Sequence, residues 1–268
     1  MNRIEQKILR RNPEDREQIA RRLNLFLSLT KLDILDGKKI EEVFESQESI
    51  KKFLESLSTE NYKALLVGVN AMVRNMDSRD EWKMDGEGVR MGNIDMFPEQ
   101  TEKEKLLDES LAIAQSMLAN GRSMEDVVIL LTCSLTSIHP FGDGNGRTAK
   151  FILTLLLKGY DPQYIHEALT NDAVSLLVSG LHLQDVALNV IEKRFIPSDK
   201  YPTFDEHFFH SKEYNAQSVR LIMDMINNDK DERYKGWLTE NTEESALETY
   251  KREIRQCTGK AFYEKLIQ

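Results

Sequence analysis

The chain has 268 residues, enough for one large domain or for a core domain with an appendage. Hydrophobic residues make up 40% and charged residues 30%, which suits a soluble globular protein. The formal net charge of −9 argues against nucleic acid as the main partner, because a phosphate backbone needs a basic face, whereas a nucleotide needs only a local positive site.

The first half of the chain predicts helices interrupted by one irregular stretch. Glycine and proline are scarce and helix formers dominate, so the predicted class is mainly α. Amphipathic patterns predict helices over 14–35, 38–56 and 60–75. The stretch 81–100 contains glycines and a proline and predicts a short hairpin or flap with a Gly-Asn turn, the alternative being an ordinary surface loop.

Two apolar segments around a polar loop predict the centre of the molecule. The first is a helix over 124–138, capped by Ser123 and apolar on almost every side, so it should be buried. The second follows the loop "HPFGDGNG" and is also apolar around most of its circumference. A helix over 102–119 precedes the pair, and two more are expected between 162 and 195.

The polar loop has the composition of an anion site. Gly144 and Gly146 let the backbone turn so that successive N–H groups converge at a helix N-terminus. Asn145 can add an amide donor, Arg147 a planar fork and Lys150 a second cation. A cation at a helix N-terminus is unfavourable for the helix itself, and a bound anion would offset that cost. The loop therefore predicts a phosphate site.

The same loop carries an acid and a histidine. Beside phosphates, the carboxylate of Asp143 makes most sense as a ligand for Mg²⁺. His139 has an unperturbed pKa near neutrality and can take a proton from a hydroxyl nucleophile. Phe141 is expected to point into the core. Each residue alone has a common structural explanation, but their conjunction at one helix start is specific.

The sequence "HPFGDGNGRTAK" closely resembles the Fic motif, H-x-F-x-[DE]-G-N-G-R-x-x-[RK]. Every defining position is present through Arg147. The last position is more often arginine; Lys150 keeps the charge there but loses the bidentate fork. Gly146 resembles the members that transfer AMP, not the branch that has lysine at this position and phosphorylates its target. The resemblance covers roughly residues 55–195, mostly by helix order.

This resemblance implies a mainly α fold, a helical bundle around a buried central helix with a short β-hairpin flap. It divides the chain into an N-terminal helical extension, 1–54, a Fic catalytic core, 55–195, and a C-terminal helical extension, 196–268. The last part begins with a proline-containing linker and suggests a small appended helical subdomain. The implied activity is transfer of AMP from ATP to a Ser, Thr or Tyr hydroxyl of a target protein, with release of pyrophosphate.

The resemblance also assigns roles to residues. His139 is the general base, and Asp143 holds Mg²⁺ on the α- and β-phosphates. Asn145 and the neighbouring N–H groups hold the α-phosphate, and Arg147 and Lys150 meet the outer phosphates. The full set of residues expected at the nucleotide is Gly142, Gly144, Asn145, Gly146, Arg147 and Lys150. The flap residues expected to align the target by backbone pairing are Val89, Arg90, Met91 and Gly92.

A further pattern concerns inhibition. Many Fic proteins have a helix with [ST]-x-x-x-E-[GN], whose glutamate pairs with the motif arginine and blocks the γ-phosphate. "SLSTEN" matches this pattern at Ser56 and Glu60. The same letters also describe a helix N-terminus with a hydroxyl cap and Glu60 in the first turn, and we favour this local explanation.

Alternative functions stay open at this point. The same site could use another donor, such as UTP, GTP or a CDP-linked alcohol for phosphocholine transfer, because the motif binds phosphates and says little about the base. It could also remove AMP from a modified target. A non-catalytic module that senses ATP is the alternative from another class, and His139 argues against it because pure binding does not need a base.

Location and partners follow from composition. With 2 cysteines there is no disulfide framework, so a reducing compartment, the cytoplasm, is expected, with export into a host cell as the alternative. No Sec signal and no membrane span are visible. The expected partners are ATP and a target protein with an acceptor hydroxyl. A second copy of the chain, in a homo-oligomer, is the alternative partner.

Overall fold

All regular secondary structure that the computed structural model describes is α-helical, which confirms the mainly α class. The described residues are 34–74, 84, 97–159, 192–193 and 195–228. In chain order the helices are α1 Ile40–Val43, α2 Gln47–Ser56, α3 Thr59–Arg74, α4 Gln100–Ala119, α5 Met124–Ile138, α6 Asn145–Lys158, α7 Phe204–His210 and α8 Lys212–Asn227. Three predicted segments fall almost entirely outside the described residues: 14–35, the flap within 81–100, and 162–195.

Helix α5 is the central element, as its apolar sequence predicted. It packs against α4, α6 and α8, and every residue from Asp126 to Ile138 is buried. The predicted cap is also present, since the hydroxyl of Ser123 accepts the N–H of Asp126 at 3.2 Å. Neither α5 nor any other helix within the described residues is long and apolar enough to cross a membrane.

The single helix predicted over 38–56 is wrong at its middle. Helix α1 ends at Val43, and α2 begins only at Gln47. Between them Ser46 has an extended backbone, and its hydroxyl accepts the N–H of Ser49 at 3.2 Å. A serine in this position competes for backbone donors and starts a new helix instead of continuing the old one.

Side-chain amides join helices by binding their C-terminal carbonyl groups. Gln115 of α4 donates to the carbonyl groups of Leu54 at 2.9 Å and Leu57 at 2.8 Å, where α2 ends. Gln47 of α2 donates to the carbonyl of Leu157 at 2.7 Å, near the end of α6. Carbonyl groups at the end of a helix lack the N–H that a following helical turn would supply, although that of Leu54 also accepts the N–H of Leu57 at 3.4 Å. The amides bind these groups and fix the positions of α2, α4 and α6.

Helix α8 belongs to the same hydrophobic core, although the sequence suggested an appended subdomain. The guanidinium of Arg220 binds both carboxylate oxygens of Glu109 on α4, at 2.7 and 2.8 Å. Arg122 donates to the carbonyl of Asn227 at 3.3 Å and thereby caps the end of α8. The apolar face of α8 is buried against α4 and α5 through Ala216, Val219, Ile222, Met223 and Ile226.

Gly159, which ends α6, generates a stability prediction. Its backbone angles, φ 73° and ψ −168°, lie in a region that is essentially restricted to glycine, and a Cβ there would overlap the carbonyl oxygen of Phe44. Gly159→Ala should therefore lower the free energy of unfolding by about 3 kcal/mol. The measurement is urea denaturation.

The matched control is Gly121→Ala. Gly121 also has a positive φ of 76°, but a Cβ there would meet no atom within 4 Å. This variant should lose only the backbone contribution, about 1 kcal/mol. Equal losses in the two variants would contradict the proposed overlap with Phe44.

Candidate functional site

Four helix ends converge on the loop between α5 and α6. The loop leaves the C-terminal end of α5 at His139 and enters α6 at Asn145. Asn70, near the end of α3, donates to the carbonyl of Asp143 at 2.9 Å. Lys103, near the start of α4, donates to the carbonyl of His139 at 2.8 Å. The loop backbone is therefore held from both sides by helices that are distant in sequence.

Asn145 shapes the loop from inside. Its side chain is 3% exposed; its amide oxygen accepts the N–H of Phe141 at 3.0 Å, and its amide nitrogen donates to the carbonyl of Phe141 at 2.6 Å. Phe141 lies in the core, as expected. The amide that we expected to face a phosphate is thus turned onto the loop backbone, where it fixes the curvature that aims α6.

The two glycines of the motif are needed for different reasons. Gly144 has φ 81°, and a Cβ there would lie 2.9 Å from both Arg74 Cγ and Asn70 Nδ2. Close packing and a left-handed backbone therefore both require glycine at this position. Gly146 is helical, and a Cβ there would meet no atom within 4 Å. Its missing side chain leaves open space in front of the first turn of α6.

The N-terminus of α6 has the features of an anion site. Gly144 is the N-cap, and the first intrahelical bond runs from the N–H of Thr148 to the carbonyl of Gly144 at 2.8 Å. The three N–H groups before it, those of Asn145, Gly146 and Arg147, lie at the positive end of the helix dipole. The first turn of α6 carries no acidic residue that would compensate this charge. Such an end attracts anions.

Asp143 lies between two arginines. One carboxylate oxygen accepts the N–H of Gly144 at 2.6 Å. The other oxygen accepts from Arg147 at 3.0 Å and lies 3.9 Å from Nε of Arg74. Arg147 is held on its other side by the carbonyl of Val73 at 3.0 Å. The Asp143 side chain is 67% exposed, so it can reach a ligand in solvent.

The donor set fits Mg²⁺ if a substrate supplies the remaining ligands. Within the described residues no group of three or more His, Cys, Asp or Glu side chains comes together to hold a metal ion by itself. Mg²⁺ in nucleotide enzymes is commonly bound through one or two carboxylates, waters and substrate phosphates. The exposed carboxylate of Asp143, next to the anion site of α6, matches that arrangement.

His139 is held in the form that accepts a proton. Its side chain is half-buried, and the ring of Phe97 stacks on the imidazole with centroids 4.0 Å apart and planes at 21°. Burial, and to a smaller extent the charge of Lys103, lower the pKa of His139 to about 4, against the opposing effects of the Thr136 backbone and the charge of Asp143. The imidazole is thus neutral near pH 7. A neutral imidazole has one nitrogen that donates and one that accepts, so His139 has an acceptor nitrogen near pH 7.

The structure describes the remaining residues predicted at the nucleotide, but not those predicted for the flap. Lys150 lies half-buried one turn along α6 from Arg147, and Gly142 is an exposed residue of the loop. The four flap residues, Val89, Arg90, Met91 and Gly92, lie outside the described residues.

The structure does not bring Ser56 and Glu60 to the site. Ser56 ends α2, whereas Glu60 lies exposed in the first turn of α3. The hydroxyl of Ser58 accepts the N–H of Asn61 at 3.1 Å, which is the local cap that we favoured. Val73, whose carbonyl binds Arg147, lies at the other end of α3, about 20 Å from Glu60 by helix rise. This geometry does not support an inhibitory helix over residues 56–61.

Sequence reasoning missed four residues that contact the loop: Asn70, Arg74, Phe97 and Lys103. Two of these residues could have been recognised from the sequence pattern. Asn70 lies among apolar residues on the buried side of α3, and Lys103 lies at helical spacing from Leu106 and Leu107 on the buried side of α4. A polar residue in such a position is expected to have a specific partner.

Residues 69–157 match the model of the Fic/DOC family. The matched span runs from α3 to α6, so it contains the whole loop and the residues of α3 and α4 that hold it. Comparisons with curated proteins and with solved structures found no match.

The lowered pKa of His139 generates a prediction on acid stability. The folded pKa, about 4, lies below the ordinary value of 6.5, so the unfolded chain takes up this proton first as the pH falls. Stability from this residue is therefore intact above about pH 6.5 and is lost between about pH 6.5 and about pH 4. His139→Gln should remove this loss and reduce the acid destabilisation by up to about 3 kcal/mol.

The measurement is urea denaturation at neutral pH and near pH 4. The wild type, measured at the same two pH values, gives the acid destabilisation against which the variant is compared. An unchanged acid sensitivity in His139→Gln would contradict the lowered pKa of His139.

Proposed function

Because residues 69–157 form a Fic/DOC family domain, we propose that the chain is a protein adenylyltransferase. Members of this family commonly transfer AMP or other nucleotide groups to proteins. The proposed reaction moves AMP from ATP to a Ser, Thr or Tyr hydroxyl and releases pyrophosphate. The observation that carries the proposal is the meeting of a neutral histidine, an exposed carboxylate and the open N-terminus of α6 in one short loop.

His139 takes the role of general base. The acceptor nitrogen of its neutral imidazole removes the proton from the target hydroxyl as the oxygen attacks the α-phosphate. A pKa near 4 makes the imidazole a weak base in the resting enzyme, but it keeps the nitrogen unprotonated over the whole neutral range. General-base catalysis of this kind contributes about 10²- to 10⁴-fold.

The N-terminus of α6 holds the α-phosphate through backbone N–H groups. Glycine in a helix is about 1 kcal/mol less favourable than alanine, yet packing gives no reason for it at position 146, where a Cβ would meet no atom within 4 Å. Space for a ligand is a sufficient reason. The donors there stabilise the charge that grows on the phosphate oxygens during transfer.

The outer phosphates meet Arg147, with Lys150 one turn further along α6. Arg147 is paired with the exposed carboxylate of Asp143. Exposed ion pairs contribute about 0–1 kcal/mol, so a polyphosphate can replace this pairing at little cost. Asp143 is then the residue that would hold Mg²⁺ together with the phosphates; when bound, Mg²⁺ neutralises the developing charge of the pyrophosphate.

The target protein is proposed to pair its backbone with the flap that contains Val89, Arg90, Met91 and Gly92. Pairing along an extended segment would orient the acceptor hydroxyl without strict selection of its side chains.

The first test is labelling. The purified chain is incubated with a lysate and with each of four labelled nucleoside triphosphates in turn, and labelled proteins are identified by mass spectrometry. We expect label from ATP, and we expect His139→Ala to lower labelling by about 10²-fold or more while ATP binding stays close to wild type, because the base does not hold the nucleotide.

The control is His207→Ala, which should label like the wild type. Near-normal labelling by His139→Ala would overturn the assignment of the base. Tight ATP binding by the wild type without any label would favour the sensing module, and label from another nucleotide alone would favour another donor.

Arg147 and Lys150 generate a second prediction for the nucleotide. Arg147→Ala removes a charged donor and should weaken ATP binding by about tenfold to a hundredfold, measured by calorimetry. Lys150→Arg should bind ATP as well or better, because the guanidinium of arginine can make two hydrogen bonds to a phosphate where lysine offers a single charged group. Unchanged affinity of Arg147→Ala for ATP would show that Arg147 does not bind the phosphates. Loss of activity in a folded Lys150→Arg protein would show that Lys150 is not beside the phosphates.

A further inference from the structure

The start of α4 supplies two contacts to His139 that the loop motif does not contain. The first comes from Lys103, which is 1% exposed and donates to the carbonyl of His139 at 2.8 Å. Burying an ammonium group is expensive unless a partner satisfies it. A lysine among the apolar residues of α4 is therefore best explained by what its ammonium group binds, the backbone of the base.

His139 needs such support because of its backbone. Its φ of 53° and ψ of 60° place it in the left-handed region, which is unfavourable for a residue other than glycine. A residue stays in such a conformation when several neighbouring contacts hold it there. Here the N–H donates to Leu135 at 3.1 Å and the carbonyl accepts from Lys103, so both polar groups of the His139 backbone are fixed.

The second contact is with the imidazole ring. Phe97, just before α4, stacks on it with centroids 4.0 Å apart and an interplanar angle of 21°. One face of the imidazole is thus held by the stack, and its nitrogens have a defined direction.

We propose that Lys103 and Phe97 are positioning residues for the general base: Lys103 fixes the backbone of His139 and Phe97 fixes its ring. The proposal rests on the proposed function, because the direction of the imidazole nitrogen affects the rate only if that nitrogen accepts the proton of the target hydroxyl. A misplacement of about 1 Å in a reacting group can lower a rate by about 10²-fold. Both residues contact His139, so both are proposed to act through it.

The first experiment compares Lys103→Met with Lys105→Met. Methionine keeps the length of the buried chain and removes its charge and its donors. Lys105 lies on the same helix, is 64% exposed and pairs with Glu102, so its variant is a matched control. We expect Lys103→Met to lower kcat for label transfer by about 10²-fold with KM for ATP unchanged, and Lys105→Met to behave as wild type.

A folded Lys103→Met protein with wild-type kcat would overturn the role of Lys103. A parallel rise in KM for ATP would also contradict it, because that pattern indicates a damaged nucleotide site. Circular dichroism and urea denaturation show whether each variant is folded. If Lys103→Met does not fold, the Phe97 variants decide the proposal.

The second experiment compares Phe97→Leu with Phe97→Tyr. Leucine removes the aromatic face, whereas tyrosine keeps it. We expect kcat to fall by about tenfold in Phe97→Leu and to recover in Phe97→Tyr, since a ring stack contributes about 1 kcal/mol to the orientation of its partner. Equal kcat values in the two variants would show that stacking does not position the base.

A measurement independent of activity separates this proposal from the proposed function. Nitrogen NMR of histidine-labelled protein, with the His139 signal assigned through His139→Gln, reports the tautomer of the imidazole. We expect one tautomer in the wild type and in Lys105→Met, and a mixture or a shifted signal in Lys103→Met and Phe97→Leu.

Failure of the transferase proposal and failure of the positioning proposal then give different results. If the wild type labels no protein but the His139 signal responds to these variants, the transferase proposal fails and the support of the imidazole by α4 stands. If labelling works and neither the signal nor kcat responds, the positioning proposal fails and the transferase stands.

Discussion

The structure depends on a short connection between two buried helices. Six residues join the end of α5 to the start of α6, and both helices must stay in the core. The backbone of this connection is left-handed at both of its ends, at His139 with φ 53° and at Gly144 with φ 81°. The Asn145 amide closes the loop on Phe141. The same constraint that preserves the core thus places a histidine beside an exposed helix N-terminus.

The electrostatics of the site follow from these two helix ends. The carbonyl end of α5 carries partial negative charge and receives the buried ammonium of Lys103. The amide end of α6 carries partial positive charge and faces solvent with Arg147 beside it. A chain with a net charge of −9 can therefore offer a locally positive site, because the charge that matters to a nucleotide lies within a Debye length of about 10 Å.

Sequence reasoning identified the residues of the candidate site that lie in the loop itself. It missed the residues of other helices that contact this loop. The loop residues, the helix 124–138 and its Ser123 cap could be read because capping and apolar periodicity are local. Lys103 and Asn70 could not be paired with the loop, since those contacts depend on how α3 and α4 pack. The orientation of the Asn145 amide and the break at Ser46 were missed for a related reason: both depend on hydrogen bonds that a residue pattern does not specify.

Helix α3 shows why an inhibitory motif has to be judged by geometry as well as by its letters. The end of α3 that touches Arg147 is its C-terminal end, through the carbonyl of Val73, whereas Glu60 lies at its N-terminal end. Within the described part of the chain, the carboxylate that pairs with Arg147 is that of Asp143. That carboxylate is mostly exposed, so water competes with the pair and weakens it. An ion pair of this kind holds the arginine near the anion site without locking the site against a polyphosphate.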